Sequence, residues 1–526
     1  MSKKKQLVLK GAVILVAANL LVKVIGAGFK IPLAHIIDEK GMGYFGTAYT
    51  VYTFLFVIAT AGFPVAISKM IAEARAREKD EEVRKIFRIS LVILGIVGVI
   101  GTSAIYFWAR PFADSILKNP GAYLAIKAIS PAVFFVALMS VFRGYFQGHQ
   151  NMYPTGISEV VEALGKLILG LYLAYVMMQN SLEHAAAGAV GGVSIGAAAG
   201  MVVIIMIYLF SKKKRRMPTK NSRSSIEIMK ELFKVAIPIT LGAAASHLMN
   251  LLDVVTVVNR LQVIPEIDAD FANQLFGRYN GYATPMFNMP LTLVVGIAMS
   301  IVPAISGALA LKKRATAREI VDSVLRITML FALPCAVGLG VLAGPILTLL
   351  YNNANATSLL QNLSPAVLFV AFLSITNAIL QSYNKAHIPI VNMIIGGILK
   401  LVINYTMIPV WGIDAAPIAT GVCYFVIVAS NMFFVLRYAE LKLKVVDFFV
   451  KPIISAALMG AAALMTYNVA IQFVGNSISC LVAIMFAILV YGISLFLTRA
   501  IRKEDVEMLP KGEKISEFLA KYHLIG

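Results

Sequence analysis

Long apolar stretches recur along the whole of this chain, and short segments rich in charged and polar residues separate them. Each stretch holds roughly 20 residues or more, the length that an α-helix needs to cross a hydrocarbon layer about 30 Å thick. The pattern therefore predicts about 14 transmembrane helices. Their predicted ranges are 8–30, 44–70, 86–109, 123–148, 155–178, 184–210, 232–260, 279–310, 320–350, 359–383, 388–411, 414–437, 448–470 and 477–499.

The composition also indicates an all-α, polytopic membrane protein. The chain has 526 residues, of which 59% are hydrophobic and 14% are charged, and its mean hydropathy is +0.80. A soluble protein would have about a quarter of its residues charged. Because no soluble segment is large enough to bind ATP, an ATP-driven pump within one chain is excluded.

The formal net charge of +20 follows the predicted loops and does not indicate a nucleic-acid partner. If the amino terminus is cytoplasmic, the basic segments 3–5, 69–85, 211–216 and 312–318 are also cytoplasmic, whereas the acidic loop 264–274 lies outside. This distribution obeys the positive-inside rule, so both termini are expected in the cytoplasm. Anionic membrane lipids are expected as secondary partners of the basic segments.

An internal repeat divides the chain. The sequence "SPAVFFVALMSVFRGYFQ" at 130–147 returns as "SPAVLFVAFLSITNAILQ" at 364–381. The displacement from residue 130 to residue 364, called the repeat offset below, also pairs Lys166 with Lys400. Spans 7–12 are therefore predicted to repeat spans 1–6 in the same membrane orientation. The predicted organisation is a first lobe at 1–210, a basic cytoplasmic linker at 211–231, a second lobe at 232–440, two added helices at 441–500 and a cytoplasmic tail at 501–526.

Parallel repeats are one architecture of membrane transporters, in which a substrate path lies between the lobes and access alternates by rocking. A duplicated scaffold without transport is the alternative. The sequence contains no phosphate-binding loop, no HExxH zinc motif and no nucleophile elbow, so the chain is not predicted to be an enzyme. No cofactor is expected, and transport would use Na⁺ or H⁺ coupling, the membrane potential or the substrate gradient.

The first span carries Asn19, Lys23, Gly26 and Lys30 on one helical face. A charge at mid-bilayer costs about 2.5–3.5 kcal/mol on insertion scales, so both lysines are predicted to face a cavity or a partner. For Lys30 the alternative is a side chain that extends to the outer interface. The run continues past Lys23 without a small-x-small cleavage site, so it is expected to be retained as a helix and not removed as a signal peptide.

Spans 4 and 5 carry a second group of charges. Arg143 and Gln147 share a face of span 4, and Glu159, Glu162 and Lys166 share a face of span 5. One interpretation is a buried structural network in which a glutamate holds Arg143 and Glu162 pairs with Lys166 at the favourable i,i+4 spacing. The other is that these cations serve a ligand.

The second copy favours the ligand interpretation for the charges of the first lobe. At the repeat offset, Arg143 aligns with Asn377, Glu159 with Met393 and Glu162 with Gly396. A network needed only for the fold should be duplicated with the fold. The charge instead lies mainly in the first lobe.

Spans 7 and 11 supply a candidate ion site. Asn250 and Asp253 lie one turn apart and can offer oxygen ligands to a small cation, and Asn404 adds an amide near Lys400. The alternative is that Asp253 forms an ion pair with Lys400 or Arg260. The sequence contains no stronger metal-binding pattern than this one.

Several motifs across both lobes resemble the multidrug/oligosaccharidyl-lipid/polysaccharide (MOP) flippase superfamily, in its branch of stage V sporulation B proteins, lipid II flippases and polysaccharide biosynthesis proteins. The motifs are "KVIGAGFKIPLA" (23–34), "AGFPVAISKMIAE" (61–73), "RGYFQGHQNMYPTGISEVVE" (143–162), "RYNGYATPMFNMPLTLVVGIAMSIVPAIS" (278–306) and the SPAV duplication. The plan of six, six and two spans is also similar to this branch.

The resemblance implies a flippase of the bacterial plasma membrane that exports a saccharide linked to undecaprenyl pyrophosphate, either lipid II or a related wall precursor. By resemblance, Lys23 and Lys30 lie near basic positions that the lipid II flippases use in their first span. Combined with the residue pattern, this predicts a headgroup site at Lys23, Lys30, Arg143 and Gln147, with a supporting network of Asn19, Glu159, Glu162, Lys166 and Lys400. The resemblance also places Asp253, Asn404 and Thr420 near a sodium site of some relatives, and Asn250 completes the predicted ion site by its spacing from Asp253. The transporter would act as a monomer, close to wall-synthesis enzymes.

The sequence departs from the resemblance in two places. The arginines that some flippases carry in spans 2 and 8 are absent from 56–62 and from the surroundings of Thr284, and lysine occupies position 30 where relatives often have arginine. A lysine is a point charge, whereas arginine offers a bidentate fork. Two other functions therefore remain alternatives: a cation-coupled multidrug or metabolite exporter of the same superfamily, and a non-transporting scaffold for wall synthesis.

Overall fold

The computed structural model describes residues 3–211, 223–441 and 444–500, apart from the side chains of 3–17, 245–246 and 299–300. Contacts between Cα atoms divide the chain into a first unit, Met1–Gly277, and a second unit, Arg278–Gly526. Most of the predicted linker and the whole predicted tail, 212–222 and 501–526, lie outside the described residues.

All regular structure in the described ranges is helical. The first unit contains α1 (Lys3–Thr60), α2 (Phe63–Ala76), α3 (Asp80–Pro111), α4 (Tyr123–Gly148), α5 (Tyr153–Met177), α6 (Leu182–Phe210), α7 (Ser225–Leu261) and α8 (Ala269–Gly277). The second unit contains α9 (Thr284–Ala310), α10 (Arg314–Val341), α11 (Ala343–Tyr351), α12 (Thr357–Leu363), α13 (Pro365–Ser382), α14 (His387–Trp411), α15 (Ala415–Ala439), α16 (Lys451–Ala470) and α17 (Asn476–Leu497). Short 3₁₀ and π turns occupy Phe112–Ile116, Pro120–Ala122, Arg278–Ala283, Gly412–Asp414 and Val446–Val450.

The helices account for the predicted membrane spans. Among the described residues, 11 helical stretches are long and apolar enough to cross a membrane, or 12 when the two arms of α7, bent by 51°, count as one span. The stretches Ala18–Ala76 and His387–Ala439 have 59 and 53 residues. At 1.5 Å per residue each is roughly 80–90 Å long and therefore contains two spans. The all-α polytopic fold with about 14 spans is thereby confirmed.

Helix boundaries show the internal repeat directly. Displaced by the repeat offset, the bounds of α4 become 357–382, which are the first residue of α12 and the last of α13. The bounds of α5 become 387–411, which are those of α14. The duplication predicted from the SPAV motif therefore extends to where the helices begin and end.

Glycines bring α5 and α6 into close contact. A Cβ atom added at Gly165 would lie 2.7 Å from the Cα of Gly196, and one added at Gly192 would overlap the backbone of Gly170. A Cβ atom added at Gly196 would lie 2.6 Å from the backbone oxygen of Glu162 and 2.8 Å from the backbone nitrogen of Lys166. Small residues let membrane helices approach at the backbone, so this contact fixes the height and rotation of the charged face of α5.

At the predicted outer side of the first unit, α8 packs onto α1. The predicted acidic loop 264–274 is therefore partly helical. Asp270 forms an ion pair with Lys40 at 2.7 Å, and Gln274 donates to Glu39 at 2.8 Å. Asn273 is fully buried and accepts a hydrogen bond of 2.7 Å from Asn119. These contacts hold α8 to the rest of the first unit.

The last two helices, α16 and α17, pack within the second unit. Met459 and Ala463 form a buried cluster with Leu342, Ala483 and Ala487. The Tyr491 hydroxyl donates to the Leu330 carbonyl at 2.7 Å, which ties α17 to α10. The two unrepeated helices are thus an addition to this unit.

Candidate functional site

The motif at 143–162 forms a tight helical hairpin. Helix α4 ends at Gly148, and Gln150 adopts a left-handed conformation with φ of 57°. Pro154 lies in the first turn of α5, where its missing N–H costs no intrahelical bond. The hairpin places the last turns of α4 beside the first turns of α5, so Arg143 faces Ser158 and Glu162.

Arg143 is closed within this hairpin. Only 6% of its surface is exposed, its Nη2 donates to Glu162 Oε2 at 3.0 Å and its Nε donates to Ser158 Oγ at 3.1 Å. Ser158 donates in turn to the Thr155 carbonyl at 2.8 Å. Removing one partner of a buried ion pair strongly destabilises the folded protein, because the other charge stays buried without compensation.

The structural interpretation of the sequence had expected Glu162 to pair with Lys166. The structure shows that it does not. Glu162 is engaged with Arg143, and the Lys166 ammonium instead contacts the Tyr49 hydroxyl at 3.0 Å. The i,i+4 spacing was correct, but a partner on the neighbouring helix competes successfully. Arg143 offers Glu162 a hydrogen-bonded, buried geometry that a lysine on the same helix cannot match. Glu159 remains beside this pair, and within the described part of the chain its buried Oε2 atom has no hydrogen-bond partner.

Lys166 and Lys30 lie at the same tyrosine of α1. The Lys166 Nζ atom is 4.4 Å from the centre of the Tyr49 ring and 4.8 Å from that of Phe29. The Lys30 Nζ atom is 5.8 Å from the centre of the Tyr49 ring. Both lysines are half-buried. Sequence reasoning missed Tyr49, whose position in an apolar span gave no signal until α1 was seen to pack on α5.

The remaining residues of the predicted headgroup site lie apart from this cluster. Asn19 and Lys23 are exposed on α1, and Gln147 is half-buried one turn beyond Arg143 on α4. Neither Lys23 nor Lys30 has a carboxylate oxygen within 4.0 Å in the part of the chain that the structure describes. The structure thus brings together Lys30 with Lys166 and Arg143 with Glu162.

In the second unit an amide network occupies the place of the Arg143 pair. The fully buried Asn431 on α15 donates to Asn377 at 2.9 Å and to Thr376 at 3.3 Å, and it accepts from Asn392 at 2.8 Å. At the repeat offset, Asn377 and Asn392 correspond to Arg143 and Ser158. Each copy therefore has a polar contact at this place, charged in the first unit and neutral in the second. The alignment of Ser158 with Asn392 was the signal available in the sequence.

The residues of the predicted ion site belong to different units. Asp253 is buried on α7 and Asn250 is exposed, whereas Asn404 and Thr420 are buried on α14 and α15. Within the second unit, Thr420 is 3.1 Å from the Tyr279 hydroxyl. No group of three or more His, Cys, Asp or Glu side chains suited to a metal ion occurs among the described residues. The ion site stays a prediction.

Lys400 is a buried cation in the second copy of the repeat. It is 1% exposed on α14, one turn before the fully buried Asn404. Residues four apart on a helix are neighbours, about 5–6 Å between Cβ atoms. Its counterpart Lys166 is half-buried, so the two copies place the same residue type in different surroundings.

Repeated membrane-spanning helices with charged and polar groups inside them define a polytopic helical membrane protein. Comparison of the sequence with protein families narrows this class. Residues 8–309 match the polysaccharide biosynthesis protein family, and residues 280–406 match the MatE family. The chain belongs to the polysaccharide biosynthesis protein family, which confirms the resemblance predicted from its motifs.

Individual relatives lie in the same branch. The chain is 28% identical to stage V sporulation protein B of Bacillus subtilis (strain 168) over 419 residues, which are 79% of this chain and 81% of that protein. It is 26% identical to lipid II flippase MurJ of the same organism over 479 residues, covering 86% and 87% of the two chains. The second of these relatives is named for an activity, that of a flippase, in agreement with the expectation that this protein is not an enzyme.

Solved structures share the fold. Lipid II flippase MurJ in an inward closed conformation superposes with a TM-score of 0.68 at 16% identity, covering 92% of this chain and 98% of that one. An inward-facing multidrug resistance MATE family transporter of the MOP superfamily has the same TM-score at 14% identity, covering 82% and 98%. At these identities the likeness establishes the fold and leaves the substrate open.

Proposed function

We propose that this protein is a flippase that moves an undecaprenyl-pyrophosphate-linked saccharide from the inner to the outer leaflet by alternating access. Membership of the polysaccharide biosynthesis protein family and the similarity to a lipid II flippase support this proposal. The saccharide is lipid II or a related wall or polysaccharide precursor. The protein acts in the bacterial plasma membrane with both termini in the cytoplasm, as the distribution of basic loops predicts.

The observation that carries the proposal is the pair of lysines on α1. Lys23 is exposed and Lys30 is half-buried, and neither has a carboxylate within 4.0 Å among the described side chains. Uncompensated cations within a membrane span are costly and mark substrate or ion pathways. A pyrophosphate offers anionic oxygens that accept charge-assisted hydrogen bonds from ammonium groups. Gln147 can donate an additional amide hydrogen bond to the headgroup.

Replacement of both lysines tests the proposal. We expect Lys23→Gln/Lys30→Gln to lower the translocation rate of a fluorescent undecaprenyl-pyrophosphate-linked disaccharide in proteoliposomes by about tenfold or more, because two charge-assisted contacts are lost. The matched control is Lys118→Gln, an exposed lysine beyond the outer end of α3. Translocation by the double variant at the rate of the control would remove the α1 lysines from the headgroup site.

A cation-coupled multidrug exporter is the alternative that the fold allows, since MATE transporters share it. The same proteoliposomes distinguish the two functions. A drug exporter would transport ethidium when an imposed Na⁺ or H⁺ gradient drives it, and it would not translocate the lipid-linked disaccharide. A scaffold for wall synthesis would move neither compound.

The energy source is also a proposal. We expect Na⁺ or H⁺ coupling, the membrane potential or the substrate gradient to drive translocation. Asn250 and Asp253 on α7 remain the oxygen ligands of a coupling ion, if one is used. Translocation measured with Na⁺ replaced by K⁺ and with the potential collapsed separates these sources.

A further inference from the structure

Two cationic side chains lie around one aromatic ring inside the first unit. Lys166 contacts the Tyr49 hydroxyl at 3.0 Å, and Lys30 lies 5.8 Å from the centre of the same ring. Attraction between a cation and a ring holds each ammonium in place but leaves its charge uncancelled. The two like charges repel each other, so an anion bound between them would stabilise the arrangement.

The acidic side chain one turn from Lys166 on the same helix is engaged elsewhere. Glu162 lies one turn from Lys166 on α5, at a spacing that ordinarily favours an ion pair. Its Oε2 atom accepts a 3.0 Å hydrogen bond from Arg143 instead. Within the described ranges, neither Lys30 nor Lys166 has a carboxylate oxygen closer than 4.0 Å.

A spare hydrogen-bond donor accompanies the lysines. The Tyr52 side chain is 3% exposed, and its buried hydroxyl has no hydrogen-bond partner among the residues that the structure describes. Its ring lies 5.9 Å from that of Tyr49. A buried hydroxyl left unpaired costs free energy, which a ligand oxygen would recover.

We propose that Lys30 and Lys166, together with Tyr49, form an anion site for the pyrophosphate of the lipid carrier, and that Arg143 keeps Glu162 away from Lys166. The identity of the ligand rests on the proposed function. Lys166 thereby becomes a ligand of the headgroup. Arg143 becomes a positioning residue that acts through Glu162, and this role explains why the arginine is closed within its hairpin.

Binding of two lipids tests the site. The probes are radiolabelled undecaprenyl pyrophosphate and undecaprenol, with the full-length protein in nanodiscs. We expect Lys30→Gln and Lys166→Gln each to weaken binding of the pyrophosphate lipid by about tenfold, and Lys166→Arg to retain it. The control Lys127→Gln removes a lysine that lies 4.7 Å from the centre of the Tyr106 ring, outside the cluster. Unchanged pyrophosphate binding by Lys166→Gln would overturn the proposal.

A double variant tests the role of Arg143. We expect Arg143→Gln to weaken pyrophosphate binding by about tenfold, because the released Glu162 can neutralise Lys166. Arg143→Gln/Glu162→Gln should then bind to within about threefold of the wild type. If Arg143 itself contacted the pyrophosphate, the double variant would bind as weakly as the single variant, and the positioning role would be refuted.

The two proposals fail in different ways. If the wild-type protein binds undecaprenol as tightly as undecaprenyl pyrophosphate, the proposed function fails and the anion site fails with it. If the wild type prefers the pyrophosphate lipid and the Lys30 and Lys166 variants keep that preference, only the anion site is refuted.

Discussion

Gly192→Leu is expected to prevent stable folding of the first unit. Any side chain at this position overlaps the backbone of Gly170 on α5, and a backbone cannot move aside as a flexible side chain can. Separating α5 from α6 would also open the contacts of Gly165 and Gly196. We expect a destabilisation of more than about 3 kcal/mol, seen as loss of the monodisperse peak in detergent and a melting temperature lower by about 5 °C or more.

The neighbouring glycine provides the control. Gly191 has no atom within 4 Å of an added Cβ, so Gly191→Leu changes the composition of α6 by the same amount without a clash. A melting temperature of Gly192→Leu equal to that of Gly191→Leu would show that α5 and α6 are not held by this close approach.

Asn431→Leu should destabilise the second unit. The substitution removes three side-chain hydrogen bonds, and it leaves Asn392 and Thr376 buried without these contacts. Hydrogen bonds between membrane helices average about 0.6 kcal/mol each, and unsatisfied groups add to that cost, so we expect a loss of roughly 2–4 kcal/mol. Thermal unfolding in detergent, followed by intrinsic fluorescence, measures this effect.

An exposed asparagine of the same unit serves as the comparison. Among the described residues Asn288 donates only to the Thr284 carbonyl within its own helix, at 2.9 Å, so Asn288→Leu should change stability by less than about 0.5 kcal/mol. Equal melting temperatures for the two leucine variants would mean that the amide network adds nothing to stability.

The sequence predicted the internal repeat more accurately than it predicted the contacts between residues inside each copy. The repeat offset placed the bounds of α5 and α14 in register, because a helix must span the same apolar thickness in both copies. The predicted loop at 264–274 proved partly helical, since short amphipathic helices outside the membrane carry little apolar signal.

The charged site shows the same limit. Periodicity placed Arg143 on a polar face of span 4 and Glu162 and Lys166 on one face of span 5. It could not decide which cation Glu162 would bind, because spacing along one helix says nothing about a competitor on the next. The hairpin between α4 and α5 decided in favour of Arg143. Tyr49 entered the site for a similar reason, since only packing of α1 against α5 shows which aromatic residue meets Lys166.

The sequence by itself determined that this protein lies in a membrane, how many times it spans the membrane and that its spans are duplicated. Hydrophobic length and charge placement depend on local composition, which every apolar stretch carries within itself. The tertiary structure alone decided how the charges are partnered: one arginine neutralised, two lysines left around a tyrosine and a neutral amide network in the second copy. Such choices depend on distances of a few ångströms between helices far apart in the chain, where hydrogen-bond geometry selects one partner among several of the right charge.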